Sequence, residues 1–197
     1  MKRSLVLFGL AVLCLCSLPA LAADEKAPDM DAMMKDMAKY ATPGDMHKHL
    51  EGMAGKWSTV TRMWMDPAAP PTESKGTASY EMVLGGRFIS MKYNGDFMGM
   101  PFEGMGMTGY DNFHKNYVST WTDNLSTAVM NSTGSASADG NTITLSGTMD
   151  DPVMGEMNMK FREVITLKGK DAFTLEMFNT MKGKETKMFE IMHTRTM

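Results

Sequence analysis

The sequence predicts an all-β fold: a closed antiparallel up-and-down barrel of about ten strands, with a short N-terminal helix. Three observations predict it. From Lys56 onward, turn signals such as Gly85-Gly86, Asp139-Gly140-Asn141 and Lys182-Gly183-Lys184 recur at short, regular spacing. Between them lie runs rich in Thr, Val, Ile, Tyr, Phe and Trp that alternate with period two, the pattern of half-buried strands. The connections are nearly all short, and short links join antiparallel neighbours. A meander of this length leaves two edges open to pairing unless it closes on itself, and closure removes both.

The elements follow in chain order. Lys2 and Arg3 precede an apolar run, Leu5 to Cys16, that is too short to span a bilayer comfortably. Pro19 and the small-x-small triplet Ala20-Leu21-Ala22 follow, so residues 1–22 are expected to be a signal peptide cleaved near Ala22. The product is then periplasmic or secreted, has no integral membrane segment, and has lost Cys14 and Cys16 with the leader. Residues 23–42 are polar, with Met30, Met33, Met34 and Met37 on one helical face, and form a Met-rich linker or helical tether. Thr42-Pro43 signals a helix start, and Met46, Leu50 and Met53 make its apolar stripe up to Gly55. The barrel domain, 43–197, carries strands expected at 56–65, 74–84, 86–97, 102–111, 116–124, 127–138, 141–149, 155–168, 171–181 and 184–196.

Composition excludes some functions. The chain has 197 residues and a formal net charge of −3, so it lacks the basic field that nucleic-acid binding needs. It is 43% hydrophobic, too much for a wholly disordered chain. There is no Gly-x-Ser-x-Gly elbow, no His-Glu-x-x-His and no phosphate loop, so no enzymatic activity and no cofactor are expected. The residue that stands out is methionine, with 25 copies.

Several segments are familiar as a set: Leu50-Glu51-Gly52-Met53-Ala54-Gly55-Lys56-Trp57, Leu84-Gly85-Gly86-Arg87-Phe88, Phe97-Met98-Gly99-Met100-Pro101-Phe102-Glu103-Gly104 with Gly109-Tyr110-Asp111-Asn112, Tyr117-Val118-Ser119-Thr120-Trp121, and Phe173-Thr174-Leu175-Glu176-Met177. Together they resemble a bacterial family of exported proteins, domain of unknown function 1579, related to the calycins and lipocalins. The likeness runs from about Leu50 to Thr196. It implies a closed antiparallel barrel and, by fold-level analogy, an apolar ligand cavity. It implies no activity.

Two constellations could carry chemistry. The first is four Met-x-Met pairs: Met63/Met65, Met98/Met100, Met105/Met107 and Met157/Met159. On a regular strand, positions i and i+2 share a face, so each pair would set two thioethers side by side. Soft thioethers select Cu(I) or Ag(I). Against this, Met also fills irregular cores and lines adaptable surfaces. The second is a polar set on the expected strands: Glu81, Arg87, Trp121, Asp123, Glu163, Glu176, Glu190 and Arg195. An inward carboxylate there needs a cationic partner or a raised pKa, and an inward arginine could hold a ligand carboxylate. Arg87 and Arg195, with Tyr110 and Trp121 as walls, are the ligand-binding candidates for a small apolar or lipid-like molecule held in the barrel. The alternatives are periplasmic Cu(I)/Ag(I) binding by the paired thioethers, and a structural or stress-related barrel filled by its own side chains.

Overall fold

A computed structural model describes residues 29–151 and 155–196. The expected leader lies outside the described residues. Helix α1 spans Met30–Ala41 and helix α2 Asp45–Glu51. Ten strands follow: β1 Gly55–Met63, β2 Thr72–Val83, β3 Phe88–Phe97, β4 Met100–Asp111, β5 Asn116–Asp123, β6 Met130–Ala136, β7 Thr142–Asp151, β8 Glu156–Leu167, β9 Ala172–Met181 and β10 Lys184–Arg195. Each strand pairs antiparallel with its neighbour in sequence, and β1 pairs with β10 to close the barrel. The expected fold class is therefore the observed one. No described helix is long and apolar enough to cross a membrane.

Helix α1 forms in the Met-rich tether. Asp29 caps it by accepting from the amides of Asp31 and Ala32. None of its residues is buried. It is held at its C-terminal end, where Asn112 Nδ2 donates to the carbonyls of Tyr40 and Thr42 at 3.0 and 2.9 Å. The Tyr40 and Phe113 rings meet edge to face there. Thr42 was expected to start the second helix, but it ends the first: its amide and hydroxyl both donate to the Ala38 carbonyl. Helix α2 starts instead at Gly44, whose amide is taken up by His47 Nδ1 at 3.0 Å.

Helix α2 plugs one end of the barrel. Leu50 and Met53 enter the core with Trp57, Tyr117, Ile143 and Phe173, and all six are essentially inaccessible. Trp57 Nε1 donates to the Met53 carbonyl at 2.8 Å, and the Tyr117 hydroxyl donates to the Met46 carbonyl at 2.8 Å. Arg195, at the far end of the chain, donates to the carbonyls of Ala54 and Gly52 just after α2 and lies over the Trp57 ring at 4.1 Å. These carbonyls have no helical partner of their own, so a guanidinium fork satisfies them. The plug is thus packed and hydrogen-bonded through several strands at once.

Candidate functional site

The half of the lumen away from α2 is built differently. Along each strand alternate residues face inward. Near the unplugged end these include Phe97, Phe102, Trp121, Met130, Met149 and Phe189, all only half-buried. Register sets Trp121 beside Met130, and Met149 beside Met159. The wall there is aromatic and thioether, the chemistry of small-molecule pockets.

Glycines back the aromatic wall of this half. Trp121 lies flat on β4, so a Cβ at Gly104 would stand 2.1 Å from its ring and one at Gly106 would stand 3.1 Å from it. Gly147 lies under the Phe161 ring in the same way. An inward aromatic backed by a glycine on the next strand covers the wall instead of crossing the lumen. Trp121 Nε1 donates to Asp123 at 2.9 Å, which fixes the indole against that wall.

Among the inward titratable groups are His193 and Glu163. His193 is buried and stacked on Phe173 at 3.9 Å between ring centres, and its Nε2 lies 3.1 Å from the Tyr80 hydroxyl. Its Nδ1 has no partner. Burial holds its pKa down at about 4, so the ring is neutral at ordinary pH. Glu163 faces inward between Phe161 and Ile165, beside Leu145 and Met177 on the flanking strands. Burial raises its carboxyl to about 7. No hydrogen bond or ion pair of its carboxyl is found among the described residues. It keeps an intermediate solvent-accessible surface on the inward face of β8. The charge of Glu163 also pushes the Tyr80 hydroxyl upward, after the larger effect of burial.

The residues expected at a ligand site are dispersed. Trp121 lines the lumen. Arg195 is committed to the plug. Arg87 lies in the turn after β2, where it donates to the Leu84 carbonyl at 2.9 Å. Arg87 and Tyr110 do come together, with Tyr40, His47 and Asp111, in an external cleft of about 250 Å³ beside α2. A wider open depression of about 460 Å³ crosses β3, β4 and β5 and is lined by Lys92, Glu103, Met105 and Asp123. It lacks the apolar enclosure that ligand pockets use.

The Met-x-Met pairs do not act as four matched sulfur pairs. Met98 has φ 55° and forms a turn with Gly99, so Met98 and Met100 flank a hairpin. Met63 ends β1, while Met65 lies beyond it and is exposed. Asn158 has φ 56°, which breaks the alternation: Met157 is 65% exposed and Met159 only 7%. Met105 and Met107 do share a face, but it is the outer one, beside Ser90, Lys92, Thr120 and Thr122. Among the described residues no group of three His, Asp or Glu is placed to hold a metal ion.

Of the other charged candidates, Glu81 is exposed. Glu176 and Glu190 are direct cross-strand partners, and both turn toward Lys187, which pairs with Glu176 and lies 4.0 Å from Glu190. Glu163 is the inward carboxylate that a ligand-site search on arginines passes over. Its signal was Phe161 and Ile165 at two residues on either side, which assigns it to their face.

A model of the family described as protein of unknown function, DUF1579, matches residues 42–195. The chain belongs to the DUF1579 family. A comparison with curated proteins finds none that matches. Solved structures similar to this DUF1579 barrel include Rv2717c from M. tuberculosis, at 12% identity and a TM-score of 0.57, covering 79% of this chain and 100% of that one. Another is the S-type phycobiliprotein lyase CPES from Guillardia theta, at 13% identity and a TM-score of 0.51, covering 79% and 99%. At such identities the likeness is one of fold.

Proposed function

We propose that this DUF1579 protein is exported and binds a small, largely apolar molecule, without catalysis, in the half of its barrel away from α2. The observation that carries the reading is the contrast along the lumen. One end is sealed by a packed helix, while the other presents half-buried aromatic and thioether side chains, with Trp121 laid on Gly104 and Gly106. A barrel filled by its own side chains would turn Trp121 and Phe161 across the lumen, not against the wall. Burial of apolar ligand surface supplies the driving force. The leader pattern of residues 1–22 supports export.

Native mass spectrometry of the protein purified from its own host tests this reading. The expected result is a retained non-covalent adduct, together with saturable binding of the neutral probe N-phenyl-1-naphthylamine. A bare polypeptide mass and no saturable probe binding would overturn it.

A further inference from the structure

The inward face of the barrel is chemically one-sided. Arg62, Lys75, Lys92, Lys160 and Arg162 alternate with the inward residues of their strands and stand outside. Among the described residues, the basic side chains that share the inward face are Arg195, held by the plug, and Lys184, at the exposed rim. Glu163 stands deeper, with an apolar neighbour on each flanking strand and no partner for its carboxyl among the described residues. Other titratable groups on the inward face include Tyr80 on β2, Tyr93 on β3, Tyr110 on β4, Tyr117 and Asp123 on β5, and His193 on β10. Tyr80 is engaged with His193, Tyr93 with Thr61, and Asp123 with Trp121 and the Leu125 amide. None of them offers Glu163 a cation: His193 is held neutral by burial, and the four tyrosines are phenols.

A carboxylate in apolar surroundings is costly alone and is stabilised by a cation that brings its own N–H donors. We infer that the lumen ligand is an apolar molecule carrying a protonated nitrogen, an aliphatic amine or an amidine-like group, which pairs with Glu163. The inference rests on the lumen reading above and adds the charge of the ligand. It also reverses the polarity of a fatty-acid site, which would need an inward arginine or lysine where Glu163 stands. Binding then depends on pH. The raised carboxyl must lose its proton to receive the cation, so affinity for an amine falls as pH drops below about 7.

Three ten-carbon probes separate the possibilities: decylamine, decanol and decanoate, titrated calorimetrically into the intact protein at pH 8 and pH 5. At pH 8 decylamine is expected to bind at least tenfold more tightly than decanol, and decanoate more weakly than decanol. At pH 5 the decylamine affinity is expected to drop by about 100-fold, in proportion to the ionised fraction of Glu163, while decanol changes little. In Glu163→Gln the amine-to-alcohol ratio should fall to about one. Equal binding of amine and alcohol by the wild type overturns the inference and leaves the lumen reading standing. So does an amine preference that persists in Glu163→Gln. Tightest binding of decanoate overturns it in favour of an anionic ligand. No saturable binding of decanol or of either charged probe sinks the lumen reading itself. Should Glu163→Gln fail to fold, the wild-type ratio and its pH dependence still decide.

Discussion

The two halves of this barrel use similar side chains for opposite ends. At the plugged half, Trp57 is buried, its Nε1 donates to a backbone carbonyl and its face is covered by Arg195. In the other half, Trp121 is half-buried, pinned by Asp123 and spread over Gly104 and Gly106. One indole fills space and the other is held out of it. A similar contrast separates two inward titratable groups. His193 is stacked and bonded to Tyr80, whereas the Glu163 carboxyl finds no partner among the described residues. On the proposed reading, a closed sheet divides stability and binding along its axis. The division follows from which inward residues are backed by side chains and which by glycine.

The largest effect that could break this comparison comes from truncating each tryptophan. Trp57→Ala is expected to cost ~3–5 kcal/mol in urea unfolding, the usual loss for a buried aromatic. Trp121→Ala should cost well under half as much and instead weaken binding of the neutral probe. Equal stability losses would show that the two halves are packed alike.

Next come the two titratable groups, whose pH dependences have opposite signs. His193 has an ordinary value of 6.5 and is held at about 4. Below 6.5 the unfolded chain takes up a proton that the folded barrel refuses, so His193 lowers stability as pH falls from about 6.5 to about 4. Glu163 has an ordinary value of 4.5 and is raised to about 7. Above 4.5 the unfolded chain gives up a proton that the folded barrel keeps, so Glu163 lowers stability as pH rises from about 4.5 to about 7. Each contribution is roughly 3 kcal/mol over its window. Glu163→Gln should therefore stabilise the ligand-free protein by up to ~3 kcal/mol at pH 8 and by little at pH 4.5. His193→Gln should flatten the acid side only. Urea midpoints measured from pH 4 to pH 8 check both, and a parallel offset at every pH would contradict the assignment.

The smallest expected effect on stability sharpens the glycine argument. Gly104→Val places a Cβ where the Trp121 ring lies, 2.1 Å from its nearest atom. The ring must swing into the lumen. Overpacking of this kind costs ~1–3 kcal/mol. Affinity for N-phenyl-1-naphthylamine should fall at least tenfold. Unchanged affinity would mean that the probe sits elsewhere.

The strands were legible because their limits are set locally. Gly85-Gly86, Asp139-Gly140-Asn141 and Lys182-Gly183-Lys184 each end one strand and begin the next whatever the rest of the chain does. Thr42 misled because a hydroxyl can serve either helix beside it, and here it turns back to Ala38. Three of the four Met-x-Met pairs part because sharing a face at i and i+2 requires extended backbone between. Asn158, with its positive φ, abolishes that between Met157 and Met159. Glu163 was within reach of the period-two pattern once Phe161 and Ile165 are taken as core. Arg195 was not, since its role depends on carbonyls 141 and 143 positions earlier in the chain.

Closure by β1 and β10 has a kinetic side. The seam joins residues 57–63 to residues 189–195, and the guanidinium that finishes α2 sits on the last residue of the last strand. The cost of bringing such distant segments together is met before their contacts form, so the seam closes late. During synthesis the first strand waits, with one edge unpaired, for nearly the whole chain to emerge. A polypeptide that ends a dozen residues early keeps nine strands and the apolar wall but has two raw edges and a loose plug. Such a fragment is a sheet ready to pair with another of its kind.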